Sequence, residues 1–414
     1  MPADAVLDDL RKVTDGRVRA TGEEDAIHGV PARYVATTTS TDGTAELLRV
    51  AARHALRVVA RGAGSKQDWG LPPEAVDLVV DTTALSGIVE HAAGDLVAVV
   101  RAGTRMSDLQ AGLATAGQHL ALDTPLAAAT LGGTVATNTS GPRRLLHGTM
   151  RDLLIGITFV RADGVVAKAG GKVVKNVAGY DFGKLLVGSH GTLGVITEVA
   201  LRLHPLPRAR QAVSVQTPDG AAAAEAALRV VRSQLVPSAV EIDQPADAGG
   251  TVAVLVEGVE AGVADRVGGV LDLLGPAADA GEAPEWFGRY PFRTGDVGLK
   301  ITTTSTGLGP VLTAARDTGH RHGVPVAVRG SAVGVLYSAL PADVEPPTAG
   351  RVVDDLRRSA AEHGGSVVVL TAPPPIRDAL DVWGPVPGLD LMRRLKEQLD
   401  PDRRLAPGRF VGGI

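Results

Sequence analysis

Apolar positions in the first half of this chain come in short bursts broken by glycine, whereas the second half runs in longer, regular alternations of strand and helix pattern. Residues 1–29 are polar and weakly patterned, with Ala5 to Val13 spaced as one short helix. Ala45 to Ala55 has the apolar period of an amphipathic helix, and Leu56 to Ala60 reads as a buried strand feeding Arg61-Gly62-Ala63-Gly64-Ser65. Strands are predicted at Leu78 to Asp81 and Leu96 to Arg101, and a helix at Met106 to Ala116, followed by a long glycine-rich connection through Gly148. Leu153 to Arg161 and Val165 to Ala167 pair around Ala162-Asp163-Gly164, whose Asp-Gly is a hairpin signal. The run from Gly170 to Pro207 carries glycines at 170, 171, 179, 183, 188, 191 and 194 and ends in a β-branched strand, as expected where backbone must approach a large flat ligand.

From Ala209 the order is strand (Gln211–Gln216), helix (Ala221–Gln234), strands (Ala239–Asp243, Thr251–Glu257) and helix (Val263–Leu274). It recurs as Gly298–Thr303, Gly309–His320, Val324–Arg329, Ala332–Ala339, Ala349–His363 and Ser366–Thr371. Two βαββα-like units in succession predict one antiparallel sheet covered by helices on one face, so the class is α+β. Between the units, Trp286, Phe287, Tyr290 and Phe292 crowd a stretch rich in Pro, Gly and Ala, as a packed loop or as a wall over a ligand or partner. Leu389 to Leu399 reads as a final helix stopped by Asp400-Pro401.

Length and charge narrow the function. A chain of 414 residues that is 44% hydrophobic can bury a sizeable core and favours two or three domains. With 42 basic against 46 acidic residues it has no broad basic field, so nucleic acid is not an expected partner. No stretch approaches the roughly 20 apolar residues that span a bilayer, and the acidic N-terminus lacks a signal's apolar core. A cytoplasmic location is expected, peripheral to a membrane only through partners. The absence of cysteine removes thiol catalysis, a cysteinyl flavin bond and any thiolate-held iron–sulfur cluster within this chain.

The glycine loops carry the candidate chemistry. A Rossmann fingerprint after the strand at 56–60 would need glycine at position 67, but Gln67 stands there and Leu71-Pro72-Pro73 soon follows. Two readings of Arg61 to Ser65 survive: a bare tight turn, or a nest of backbone N–H groups, backed by Arg61, Ser65 and Lys66, that cradles a pyrophosphate. A second cluster, Asp123 to Asp152, adds Thr130, Asn138, Thr139 and Ser140 as small polar partners. Together with the run at 170–197, these loops suggest backbone wrapped around an extended cofactor.

RGAGS at 61–65, ATLGGTVATNTSG at 129–141, HGTMRD at 147–152, KVVKNVAGYDFGKLLVGSHGTLGVITEVALRLHP at 172–205 and DPDRRLAPGRF at 400–410 resemble the PCMH-type, or vanillyl-alcohol oxidase type, FAD-binding fold. Within it they are most similar to the glycolate oxidase and D-lactate dehydrogenase group, over about 180 contiguous residues plus the C-terminus. In length, in the missing histidine motif of the cap and in the ending WGPVPGLDLMRRLKEQLDPDRRLAPGRF, the chain resembles the FAD-binding E-type subunits of bacterial glycolate oxidases. The resemblance implies a two-part FAD domain over 30–207 after an N-terminal segment at 1–29, an α+β cap over 208–385, and a segment at 386–414 returning to the FAD domain. It implies pyrophosphate contacts from Arg61, Gly62, Ala63, Gly64 and Ser65 and from Thr130, Leu131, Gly132 and Gly133. Asn138, Ser140 and Gly141 would line the flavin and ribityl region, and Gly191, Gly194, Val195 and Ile196 the adenine end and pyrophosphate. Neither Ser65 nor Gln67 can form a flavin bond, so the FAD is expected to be noncovalent.

Relatives in this group carry a GDGN-x-H histidine motif in the cap, which this chain lacks; Gly319-His320-Arg321-His322-Gly323 places its imidazoles at i and i+2, not on one helix face. No catalytic base is therefore named, and Lys175, Tyr180 and His147 stand only as weak candidates near the flavin motifs. Ala406 replaces the usual Asn of the tail. The resemblance implies glycolate-type 2-hydroxy acid oxidation by a complex containing a catalytic flavoprotein subunit, this flavin subunit and an iron–sulfur subunit. Two alternatives stand beside it: an autonomous FAD-dependent hydroxy acid or alcohol oxidoreductase, and a non-catalytic scaffold subunit.

Overall fold

The computed structural model of the chain describes residues 3–172 and 180–414. It divides into two compact units, one of Met1–Ser140, Thr149–Leu206 and Val386–Ile414, the other of Gly141–Gly148 and Pro207–Pro385.

The first unit holds two main sheets. In the four-stranded one the order is Val18–Ala20, Tyr34–Thr37, Leu78–Asp81, Val58–Arg61, and the last three run parallel. These parallel strands are apolar almost throughout because both faces are covered: Val35, Val59 and Val79 are buried on one side, and Ala36, Val58, Leu78 and Val80 on the other. The crossover helix Thr41–Arg53 begins earlier than its apolar period suggests, since Ser40 caps it by accepting from the Gly43 N–H at 2.9 Å. Its Leu47, Leu48, Val50 and Ala51 pack with Val58, Leu78 and Val80 and also with Val160 and Val195 of the second sheet.

That second sheet is antiparallel, in the order Ile88–Ala92, Val97–Arg101, Val195–Arg202, Leu154–Val160, Val166–Gly170. The hairpin at Asp163-Gly164 forms as expected, with Val160 opposite Val166. Strand Ile88–Ala92 was not anticipated, because as an edge strand bearing Glu90 and His91 it has no alternating pattern. The glycine-rich connection is likewise not all loop. It forms the short helices Leu131–Thr137, Arg144–His147 and Met150–Leu153, of which the first is held by burial of Leu131, Thr134 and Val135. The C-terminal helix Leu389–Leu399 leads into a tail that joins the edge of the parallel sheet, Val58 N–H donating to Arg404 O and Ala406 N–H to Val58 O.

The second unit is built on an eight-stranded sheet, antiparallel at each pairing, ordered Asp279–Gly281, Ala209–Thr217, Gly250–Gly258, Ala239–Gln244, Ala327–Ser331, Val335–Leu340, Val297–Thr302, Ser366–Thr371. Helices Gly220–Val231, Glu260–Leu274, Leu308–His322 and Pro346–Glu362 lie against it. Gln244 points to the helices, its Nε2 donating to Leu312 O at 3.0 Å, so the alternate positions Glu241 and Asp243 face away from them. On that face Arg329 Nε donates to Asp243 at 2.8 Å and sits over the Trp286 ring, while Tyr290 stacks on Phe292 and meets Tyr337 edge-on. The aromatic loop is thus packed on its own sheet.

Candidate cofactor-binding site

A cleft opens in the first unit, at the carboxyl ends of the parallel strands. Its walls come from Ala60 to Gln67, from Thr82 and Ala102, from Thr130 and the helix Leu131–Thr137, from the segment His190 to Ile196, and from Arg409 of the tail.

The loop after strand Val58–Arg61 contributes open donors. Gly64 and Lys66 carbonyls accept from Gln67 and Trp69, but among the described residues no acceptor engages the backbone N–H groups of Gly62 to Lys66. Gly64 has φ +73°, a turn that brings successive N–H groups round the bend. The loop therefore has the donor set of an anion cradle. Arg61 at its base is spoken for: its Nη2 lies 3.1 Å from Asp25 Oδ1 and 4.0 Å from Asp81. Asp25, 1% exposed, is held well below the usual carboxylate range, first by Arg19 and then by the Gly22 N–H and Arg61, against the opposing cost of burial.

The helix Leu131–Thr137 works differently. Its leading N–H groups are already satisfied, Leu131 by Thr104 O at 2.8 Å, Gly132 by Ala102 O at 2.7 Å and Gly133 by its N-cap Thr130 Oγ1 at 3.4 Å. What Gly132, Gly133, Ala136 and Thr137 offer the cleft is surface, not spare donors. Gly62 must be glycine for the same close packing, since a Cβ there would lie 2.2 Å from Thr130 Oγ1.

Several glycines expected to face a ligand instead serve the protein's own packing. A Cβ at Gly170 would strike Ile155 O, at Gly183 Leu154, and at Gly194 the Phe159 ring at 2.6 Å. Gly171 and Gly191 differ, each with open space where a side chain would stand, and Gly191 has φ +77°. His190 before it also has positive φ; its N–H caps Ala136 O, and its ring stacks on Phe410 at 5.3 Å.

Of the expected site residues, the cleft gathers Arg61, Gly62, Ala63, Gly64, Ser65, Thr130, Gly132, Gly133, Gly191, Gly194 and Ile196. It does not include Leu131, fully buried in the core, or Val195, which packs with Val58 and Leu405. Asn138 ends the helix in a left-handed conformation with its Oδ1 buried, and Ser140 Oγ is engaged by the Met150 N–H at 3.0 Å. Gly141 falls in the second unit, where its carbonyl accepts from Arg144. Among the weak catalytic candidates, Tyr180 is 89% exposed and does not line the cleft. His147 ends the short helix Arg144–His147 in the second unit, and Lys175 lies outside the described residues.

Two cleft residues were underweighted or missed in the sequence. Lys66 is 8% exposed, its Nζ has no hydrogen-bond partner among the described residues, and burial lowers its ammonium to about 8. Arg409 arrives from the far end of the chain, donating to Gln67 Oε1 at 2.7 Å, Gln67 O at 2.8 Å and Trp69 O at 3.0 Å. Burial lowers its guanidinium to about 10. The arginine that follows Pro407-Gly408 in the tail motif was the signal that could have found it. The charged residues on the cleft wall are thus all basic, which suits an anionic ligand.

Residues 32–170 match the FAD binding domain family, and residues 383–410 match the C-terminal domain of FAD linked oxidases. The chain carries an FAD binding domain. FAD is its cofactor, and the open N–H groups, basic lining and glycine-walled cleft of the first unit fit a dinucleotide's pyrophosphate. The chain is 32% identical over 208 residues to glycolate oxidase subunit GlcD of Bacillus subtilis, covering 50% of this chain and 44% of that protein. It is 39% identical over 165 residues to glycolate oxidase subunit GlcE of Escherichia coli (38% and 47%), and 34% identical over 195 residues to D-lactate dehydrogenase of Archaeoglobus fulgidus (47% and 44%). It therefore spans about half the length of the curated relatives it matches. An alkyldihydroxyacetonephosphate synthase superposes with TM-score 0.75 at 18% identity, over 98% of this chain and 85% of that one. A 4-ethylphenol oxidase from Gulosibacter chungangensis does so with TM-score 0.73 at 14% identity, over 98% and 96%. The fold is the PCMH-type fold of FAD oxidases, and because those two solved structures have different names for their chemistry, the fold alone does not choose a reaction.

Proposed function

We propose that this chain is an FAD-dependent oxidoreductase acting in the oxidation of a small 2-hydroxy acid of the glycolate type, as one subunit of a complex. The observation that carries the reading is the basic, glycine-walled cleft, in a chain that shares sequence with proteins named as glycolate oxidase subunits and D-lactate dehydrogenases. Bound FAD supplies the group that accepts hydride from a CH–OH carbon. The chain's own part is to hold that cofactor: open N–H groups of 62–66 and Lys66 for its charge, the backbone at Gly191 for close approach, and Arg409 to lock the loop. FAD is held without a covalent bond. With no cysteine in the chain, electrons leave through another molecule, for which an iron–sulfur subunit is the partner that suits the reading, beside a catalytic flavoprotein subunit.

The test is an anaerobic visible spectrum of the FAD-loaded chain before and after glycolate, D-lactate and then dithionite, alone and with co-expressed partner subunits. Bleaching by a hydroxy acid only in the assembled complex supports the subunit reading. Bleaching in the isolated chain replaces it with an autonomous dehydrogenase, and no hydroxy acid response in either state, with dithionite still bleaching, replaces it with a scaffold.

A further inference from the structure

We infer that Lys66 is the cation that neutralises the FAD pyrophosphate in this chain, so that cofactor affinity depends on one buried side chain and not on backbone donors alone. The inference rests on FAD occupying the cleft of the first unit.

Three cations line the cleft, and two are already engaged. Arg61 is tied to Asp25 and Asp81, and Arg409 spends its Nη1 and Nη2 donors on Gln67 and Trp69. Lys66 alone has its charged atom shut from solvent and without a hydrogen-bond partner among the described residues, with only the Trp69 ring at 5.9 Å for company. A buried, unpaired ammonium is costly, and such a group persists where something supplies the missing charge. No carboxylate lines the cleft. Asp68, two positions on, is exposed and supports the ionisation of Arg409. The counter-charge must come from a ligand, and the adjacent N–H groups of 62–66 define where that anion sits.

A proton dependence follows. The charged and titratable groups that share the cleft wall with Lys66 are Arg61, Arg409 and His190, and Asp68 lies near enough to act on Arg409. Arg409, lowered to about 10 by burial, keeps its charge up to about pH 9, so a change between pH 8 and 9 belongs to Lys66. Burial has already lowered Lys66 to about 8, and a pyrophosphate beside it raises it again. Binding is then strongest below pH 8 and weakens above it as the free chain loses the proton.

The experiment measures FAD, FMN and riboflavin binding to the deflavinated full chain by flavin fluorescence, in wild type, Lys66→Met and Lys66→Arg, from about pH 7 to about pH 9. Loss of one charge-assisted contact predicts a rise in the FAD Kd of about ten- to a hundredfold in Lys66→Met, with riboflavin, which has no phosphate, changed less than about twofold. Wild-type FAD affinity falls towards about tenfold per pH unit above 8, and both variants are flat. Lys66→Arg keeps most of the affinity, which separates lost charge from lost folding. Equal loss for FAD and riboflavin, an unchanged FAD Kd in Lys66→Met, or a pH limb that survives in it overturns the inference. Failure of the wild-type chain to bind FAD at all overturns the cofactor site with it.

Discussion

Lys396 is 3% exposed and donates from Nζ to three acceptors: Asp400 Oδ2 at 2.7 Å, Leu405 O at 2.8 Å and Thr192 O at 2.8 Å. Asp400 is fully buried and also accepts from the Arg404 and Leu405 N–H groups. One ammonium therefore ties the C-terminal helix and tail to the segment that carries Gly191 in the cofactor cleft. Replacing it by Met, of similar length, fills the space but strands a carboxylate and two carbonyls. Breaking a buried ion pair from one side costs about 3–5 kcal/mol, which for a unit of this size is a fall in Tm of about 6–20 °C. Adding Asp400→Asn removes the stranded charge, so the double variant should recover about 1–3 kcal/mol relative to the sum of the singles. Thermal unfolding of apo chain at pH 7 measures this, and repeating it at one saturating FAD concentration shows whether the cleft is loosened, because the ligand then stabilises the variant less than wild type. A loss below about 1 kcal/mol in Lys396→Met, or strict additivity with Asp400→Asn, would refute the reasoning.

Other outcomes are as specific. Asp25 is held below its ordinary 3.8, so its stabilisation is present above that pH and is lost as pH falls below it; the Tm difference between wild type and Asp25→Asn should shrink between pH 7 and pH 2.5, and a constant difference would count against the Arg19–Asp25–Arg61 cluster. Gly62→Ala should cost about 1–3 kcal/mol by collision with Thr130 Oγ1, and much of that should vanish in a Thr130→Ala background; denaturant titration of the four proteins decides it, with additive losses opposing the contact. Acid precipitation of the FAD-loaded chain should leave all flavin in the supernatant, and colour in the pellet would show a covalent bond that neither Ser65 nor Gln67 can make.

Much of the architecture was legible because it is written in local rules. The Asp163-Gly164 hairpin, strand Ser366–Thr371 and the alternating strands and helices of the second unit depend on turn chemistry and period, both of which act within a few residues. Helix Leu131–Thr137 was hidden because glycines at 132 and 133 argue for loop; contact with Ala102 and burial of Leu131 and Val135 override them. Strand Ile88–Ala92 exists because Val97–Arg101 offers it an edge, a partner no window of sequence displays.

The same division runs through the cofactor site. The sequence by itself determined that a glycine-rich turn follows a buried strand at Arg61, that no thiol chemistry is possible, and that an extended cofactor suits the loops. It could not separate glycines that admit a ligand from those that admit Thr130 or Phe159, since only packing distances tell Gly191 from Gly62 and Gly194. Nor could it show that Arg409 reaches Gln67 across a separation of 342 residues, or that Lys66 is sealed beside Trp69 with no acidic neighbour on the cleft wall. Those features arise from burial, and burial is a property of what the rest of the chain brings alongside, which only the tertiary structure decides.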